Sequence, residues 1–457
     1  RDAITALENF VQTEYEYDMG GFENNVDELT SNKVFGRIDW NINKTHKLMA
    51  RHSYTQNIAY NPSSSSKYSL SYYNNGIYFP SVANTTAVEL KSNWDNKSNN
   101  LSLSYSSVHD DRNPLGDPFP AIRIYDGDAS IYFGSEAYST ANELKQNIFN
   151  VTDNLSLYLG SHTVTVGANF EYQYVYNLFM RKAFGEYRFG SVEDFMTGAP
   201  ALQYERGYSL VDDIVGDGSA AAAEFNTMQF GIYGQDEWQV NDDFKLTYGL
   251  RFDVPMFPDN SLTDADATTL KETTFAAIEE AWSGDDRVNL DNIVFGQMPS
   301  AQIMINPRLG FNWDVTGDES TQLRGGTGIF TSRLPLVWPG GAYTNNGFTI
   351  GGVYYKSSWG TDIIFQPEIE NQYTNADFGQ TDPIPSGQID VFDANFKFPQ
   401  VWRTNLAIDQ KLPWNMIGTV EFLYTKTLNN VNYYNLNISP AAAFNLTGAD
   451  NRQYSDY

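Results

Sequence analysis

The amino-acid sequence predicts an all-β fold. More narrowly, it predicts a large antiparallel transmembrane β-barrel with long extracellular loops and short periplasmic turns. Three observations carry this. Apolar and polar residues alternate over unusually long stretches, short turns and long segments alternate along the chain, and tryptophans gather at the short turns.

The elements follow in chain order. Val34, Gly36, Ile38, Trp40 and Ile42 alternate with Phe35, Arg37, Asp39 and Asn41. Leu101, Leu103 and Tyr105 alternate with Ser102, Ser104 and Ser106. The longest stretch, 163–177, puts Val164, Val166, Ala168, Phe170, Tyr172, Tyr174 and Tyr176 on one face. Thr163, Thr165, Gly167, Asn169, Glu171, Gln173, Val175 and Asn177 take the other. A soluble strand is usually about 5–6 residues, so a phase held this long, with one face almost wholly apolar, fits a strand that crosses lipid. Phe244, Leu246, Tyr248, Leu250, Phe252 and Val254 repeat the pattern, as do Leu309, Phe311, Trp313 and Val315, and Trp402, Thr404, Leu406 and Ile408. One strand departs from it. Met228, Phe230, Ile232 and Gly234 lead to Asp236 on the same face. A bulge near Gln235 would restore the phase.

Strands pair across short polar turns at 43–46, 95–98, 160–162, 240–243, 316–320 and 411–415. Between the pairs lie long segments, 59–84, 109–142, 178–224, 255–305 and 333–397. Long loops confined to one end are uncommon in a compact soluble domain and are the rule in outer-membrane barrels. Trp40, Trp94, Trp238, Trp313 and Trp414 lie within or beside the short turns. An indole there keeps its ring in the apolar layer and its N–H wet. Tyr172, Tyr174 and Tyr176, at the opposite end of their strand, are placed for the second aromatic ring. The polar faces carry Arg37, Asp39, Arg251, Asp253, Arg308, Asp314, Arg324, Arg403 and Asp409. Charges that large need a wide, wet or plugged lumen.

Residues 233–238 (Tyr-Gly-Gln-Asp-Glu-Trp) and 246–253 (Leu-Thr-Tyr-Gly-Leu-Arg-Phe-Asp) resemble the barrel of TonB-dependent outer-membrane receptors. Residues 306–311 (Asn-Pro-Arg-Leu-Gly-Phe), 323–330 (Leu-Arg-Gly-Gly-Thr-Gly-Ile-Phe), 333–338, 37–43 and 117–120 (Asp-Pro-Phe-Pro) resemble its Oar-like branch. The resemblance spans about 33–425. It implies a 22-stranded barrel closed by an N-terminal plug and driven by TonB. It also implies a Gram-negative outer membrane, outer-membrane lipid around the wall, and a ligand such as a siderophore, cobalamin, glycan or peptide. A surface lipoprotein could pair with such a barrel. Plug, TonB box and terminal strand are absent from the sequence, which we read as residues 1–457 of a partial barrel of about twelve or more strands.

Composition excludes other classes. The formal charge is −27, from 56 acidic and 29 basic residues, which argues against nucleic acid. No run of about 18 apolar residues marks a membrane helix. Cys is 0, so disulfides and thiolate sites are out. The histidines are His46, His52, His109 and His162. Turns hold His46 and His162, and His109 opens a long loop; no catalytic group or metal-ligand spacing links them. We expect no enzyme, no catalytic residue, no metal and no cofactor. Calcium in the acidic clusters Asp110-Asp111, Asp126-Gly127-Asp128, Asp212-Asp213, Asp217-Gly218 and Asp285-Asp286 is a weak alternative to solvated loops.

Ligand candidates are the loop aromatics. Tyr72, Tyr73, Tyr78 and Phe79 form one group. Trp338, Tyr343, Asn345, Asn346, Phe348, Tyr354, Tyr355 and Trp359 form another. Flat rings beside Asn suit sugars or peptides; packing of loop on loop is the competing use. Residues 268–282 read as an amphipathic helix lying on the barrel rim. The expected function is capture of a ligand by the loops for energised import. A secreted β-rich glycan-binding protein or hydrolase is the first alternative, and a non-transporting scaffold barrel the second.

Overall fold

The computed structural model describes residues 2–212, 218–284, 287–380, 388–438, 444–445 and 453–454. Its main element is a twelve-stranded sheet in which each strand pairs, antiparallel, with its neighbours in sequence. In order these are β1 (Glu28–Asn41), β2 (His46–Asn61), β3 (Ile77–Asn93), β4 (Lys97–Pro114), β5 (Asn142–Leu159), β6 (His162–Phe179), β7 (Ala223–Asn241), β8 (Phe244–Met256), β9 (Met304–Asp314), β10 (Thr321–Thr331), β11 (Gln400–Leu412) and β12 (Met416–Asn429). The sheet is open: β1 and β12 do not pair with each other.

Three of the six short connections close in side-chain-capped turns. Asn43 Oδ1 accepts the backbone N–H of Thr45 and His46, each at 2.8 Å. Asn241 Oδ1 does the same for Asp243 and Phe244. Asp314 accepts from Gly317 and Glu319. Such Asx turns satisfy donors that a tight reversal would orphan. At the other end the strands outrun the roughly 9–11 residues a bilayer needs, with 18 each in β4, β5 and β6. The longer strands therefore project beyond the membrane, and the first four long connections are shorter than the sequence suggested. Tyr78, Phe79, His109, Asp110 and Asp111 belong to β3 and β4. His109 is thus a strand residue, its Nε2 2.7 Å from Glu143 Oε1, and not the start of a loop.

The two faces of the wall differ as lipid and lumen require. Val166, Ile232 and Leu250 are 45, 61 and 41% exposed on the outside, while Glu171, Asp253 and Asn306 are 5, 4 and 1% exposed inside. A continuous apolar exterior of this kind is stable only against lipid. Three of the lumen arginines are paired with carboxylates, Arg37 with Asp39 at 2.6 Å, Arg251 with Asp253 at 2.7 Å and Arg324 with Asp409 at 2.8 Å, and Arg308 lies over the Phe330 ring. The expected bulge near Gln235 is not formed. Register runs unbroken from Ala223↔Asn177 to Trp238↔His162, and on the other side the first irregularity falls between Gln239 and Asn241. Asp236 therefore keeps the outward phase. It is tolerated because His162 Nδ1 and the Tyr248 hydroxyl reach its Oδ2 at 2.7 and 2.8 Å.

The long segments fold into a second layer. Strands Ile350–Lys356, Gln203–Ser209, Glu186–Phe189, Ala121–Asp126, Ala129–Phe133 and Ser69–Ser71 lie side by side, in that order, as a mixed six-stranded sheet. They come from four different long connections. Helix α1 (Asp2–Glu14) precedes β1 and so lies on the same side. It buries Leu7 and Val11 against this sheet together with α2 (Val192–Met196). We call this layer the cap. Two further helices are α3 (Asp264–Ala281) and α4 (Val337–Thr344). The α3 helix forms where the 268–282 helix was expected, but it does not lie on the barrel rim. Leu270 and Phe275 pack with Phe295 of the same connection and with Phe348, Ile389, Val391 and Leu436 from other segments.

Candidate ligand site on the long-loop side

After β10 the chain turns inward, and residues 333–337 face the inner side of β5, β6, β7 and β8 across a cleft of about 540 Å³. Its walls are mostly apolar: Leu144, Ile148 and Val175 from the sheet, Leu334, Pro335 and Leu336 from the returning segment, with Phe257 and Phe398 at the rim. Gln146, Gln173 and Gln229 punctuate them. The two sides are tied by the Arg333 guanidinium, which donates to Glu171 Oε2. Glu171 is in turn held by Gln173 Nε2 at 2.6 Å and Asn150 Nδ2 at 3.3 Å. A buried carboxylate with one cation and two amide donors is a satisfied site. The polar ladder continues around the wall. Asp253 takes Gln229 Nε2 at 3.3 Å and Asn306 Nδ2 at 2.8 Å, and Thr331 donates to Asn306 at 2.8 Å.

The predicted ligand aromatics divide. Tyr72, Tyr343 and Tyr355 are buried, so they pack the loop layer and do not face solvent. Tyr72 donates to Glu8 at 3.0 Å. Tyr343 stacks on Phe225 at 4.6 Å and ties α4 to the wall. Tyr355 stacks on Phe378 at 4.2 Å. Tyr73 sits in a single turn, and Tyr78 lies on β3 beside Tyr60. Asn345 is occupied by Asp390 at 2.9 Å, and the Asn346 amide, 3% exposed, is spent on its own loop. Tyr354 and Trp359, 47 and 54% exposed, remain displayed at the edge strand of the cap, with Trp338 on α4 partly exposed beside Tyr433.

Among the turn tryptophans, Trp40, Trp94, Trp313 and Trp414 are exposed at the short-turn end, and Trp238 stacks on His162 at 5.3 Å. Tyr172, Tyr174 and Tyr176 occupy the upper outer face of β6. Their hydroxyls meet Asn226, Glu224 and the carbonyl of Ser219. Of the acidic clusters, Asp126-Gly127-Asp128 is the hairpin turn of the cap, Gly127 having φ +58°. Asp213, Asp217, Asp285 and Asp286 lie outside the described residues. Among the described residues no three His, Asp or Glu converge as a metal site would require.

Sequence reasoning missed Glu171 and Arg333 as a pair, and the hub of the cap. There, Gln372 Oε1 accepts the hydroxyls of Tyr187 (2.9 Å) and Tyr204 (3.2 Å), and its carbonyl takes Arg206 Nη1 at 2.8 Å. Gly185, at φ +82°, makes room: a Cβ there would lie 2.4 Å from Gln372 Oε1. Burial raises the pKa of Tyr17, Tyr72, Tyr187 and Tyr204 well above 10. In the unfolded chain they would ionise near 10. The stability they contribute is therefore full below about pH 10 and lost above it, by about 1.4 kcal/mol per pH unit for each tyrosine. In an alkaline titration followed by tyrosinate absorbance, we expect a late cooperative step as the cap melts. A single smooth rise near pH 10 would contradict a closed cap.

Solved structures with this shape are transporters and receptors of the outer membrane. The chain resembles the outer-membrane transporter YddB of Escherichia coli, with TM-score 0.51 and 10% identity, over 88% of this chain and 40% of that one. A mutant of the ferric enterobactin receptor PfeA of Pseudomonas aeruginosa gives 0.47 and 12%, over 94% and 46%. The ferric-catecholate import receptor Fiu of E. coli gives 0.47 and 12%, over 90% and 52%. The chain thus spans about half the length of these proteins or less, and at such identity the likeness concerns the fold. No curated protein is significantly similar in sequence. The family described as outer membrane beta barrel domain matches residues 14–457. With an apolar outer wall, a charged lumen and strictly alternating short and long connections, the chain belongs to that family and is a protein of the Gram-negative outer membrane.

Proposed function

We propose that this chain forms wall and cap of a TonB-dependent transporter of Oar-like type, which captures a ligand on the outside for energised import. The observation that carries the reading is the folded cap. Segments from four loops build one sheet and core on the long-loop side, and the 333–337 segment lines a cleft on the inner wall. A structural barrel has no need of an apolar cleft punctuated by glutamines on its inner wall.

The cleft chemistry favours a neutral or zwitterionic ligand with apolar parts and amide or hydroxyl groups, such as a peptide or glycan. Its polar groups are mostly glutamines, its one charged pair is already satisfied, and the acidic surface repels anions. Tyr354, Trp359 and Trp338 serve as first contacts, the cleft as the deeper site. Import would require the plug and TonB; a surface lipoprotein could close the cap. No step needs a catalytic residue or a cofactor.

The test is copurification of the full-length protein with the periplasmic domain of TonB. Retention that depends on the N-terminal region of the parent supports transport. A folded barrel that never retains TonB favours the scaffold reading.

A further inference from the structure

The cleft behind residues 333–337 carries no flat aromatic platform. Among the described residues neither Trp nor Tyr lines it, and its two phenylalanines, Phe257 and Phe398, lie with ring centroids 6.0 Å apart, partly covering each other. A sugar ring is held by laying its C–H face on the negative face of an aromatic ring. Here the walls are aliphatic instead, Leu144, Ile148 and Val175 on the sheet side and Leu334, Leu336 and Val337 on the returning segment. Hydrogen-bonding capacity is left over between them. Gln146 Nε2 donates to Gln173 Oε1 and Gln229 Nε2 to Asp253 Oδ1, each at 3.3 Å. The Oε1 atoms of Gln146 and Gln229 meet no donor among the described residues, and neither is buried. Arg333, its side chain 69% exposed, spends Nη2 on Glu171, and its other N–H groups meet no acceptor among the described residues. The root of this arginine is fixed, because Ser332 N–H donates to the Pro399 carbonyl at 2.8 Å. Acceptors and donors thus stand preorganised on opposite sides of an open, aliphatic cleft.

On the reading that this cleft is the ligand site, we propose that its substrate class is a short peptide with aliphatic side chains, and not a glycan. Each peptide unit brings one N–H and one C=O. The free glutamine oxygens accept the first, and the Arg333 guanidinium donates to the second. In an extended peptide successive side chains point to opposite sides, which suits a cleft with an aliphatic wall on each side. An acidic peptide gains little from Arg333, because Glu171 already balances its charge. A cleft of about 540 Å³ is of the size that holds a small ligand of a few residues.

The probes are the tetrapeptide acetyl-Leu-Ala-Leu-Ala-amide, the same peptide methylated at its backbone nitrogens, and maltotetraose. Each is equilibrated by dialysis with the full-length protein in detergent, and the bound fraction is measured by mass spectrometry. Wild type is expected to bind the plain peptide about tenfold more tightly than the methylated one, the scale of two lost neutral hydrogen bonds, and to bind no maltotetraose. Gln146→Leu with Gln229→Leu should bind both peptides alike. Leu336→Trp fills the cleft and should abolish peptide binding. Should it lose the faster unheated band of a folded barrel, Val337→Trp decides, at a position 64% exposed. Equal binding of the two peptides by wild type, or peptide binding that survives the folded tryptophan variant, overturns the proposal. Binding of maltotetraose in place of the peptide overturns it too, while leaving the cleft as the ligand site. Binding of none of the three probes removes the proposal as well, and copurification with TonB then decides separately whether the transport reading stands.

Discussion

Phe195→Ala should open the cap and leave the barrel standing. Phe195 is 1% exposed and sits where five other rings converge. Phe10 and Tyr15 come from the N-terminal segment, Phe133 and Phe189 from cap strands, and Phe365 from the last long loop, with centroids 5.1 to 6.0 Å away. Ser191, the N-cap of α2, fixes the helix that presents it by accepting from Asp194 N–H at 3.0 Å. Truncating a buried phenylalanine typically costs about 3–5 kcal/mol, and more of it is felt where neighbours cannot collapse into the space. Here the neighbours belong to separate segments, each held mainly by this core. The expected result is rapid proteolysis within the long loops of the full-length protein, with the unheated, faster-migrating band retained. Joint loss of band and protection would mean that cap and wall form one cooperative unit.

How much of this was legible in the sequence depends on where each signal is stored. Strand phase is written in consecutive residues, because lipid lies on one side and a wet lumen on the other. The alternation of Val164 to Tyr176 with Thr163 to Asn177 therefore gave the faces of β6 directly. The cap is stored differently. Ser69–Ser71 and Glu186–Phe189 are too short to show a period, and both pair in parallel with strands from other loops. Helix α1 was invisible to alternation because Leu7 and Val11 repeat at four, not two. Glu171 was readable as a lumen residue, but its cation lies 162 positions away and only the fold joins them. The anomaly at Asp236 was visible from the period; the inferred bulge was wrong because partners across two strands can hold a carboxylate outward.

Leu250→Lys should destabilise the barrel in lipid by about 2–4 kcal/mol if position 250 lies near the bilayer midplane, falling towards 0–1 near the interface. Leu250 lies on the outward face of β8, opposite Gly234 on β7 and Pro307 on β9. It is 41% exposed to what surrounds the wall. Gly234 and Pro307 carry no side-chain acceptor, and the nearest outward carboxylate, Asp236, lies one pleat nearer the short turn, so the side chain must snorkel along the wall to reach it or the interface. The depth dependence makes the experiment informative twice over. Leu250→Lys compared with Leu246→Lys, one helical-pitch-free step of four residues nearer the short turn, reads the thickness of the apolar belt. The lysine at 250 should lower the urea midpoint for folding into vesicles, and that at 246 should lower it less. Equal and negligible effects at both positions would mean that this face does not meet lipid. An equal, full penalty at both would place the belt lower on the wall than the tryptophans mark it.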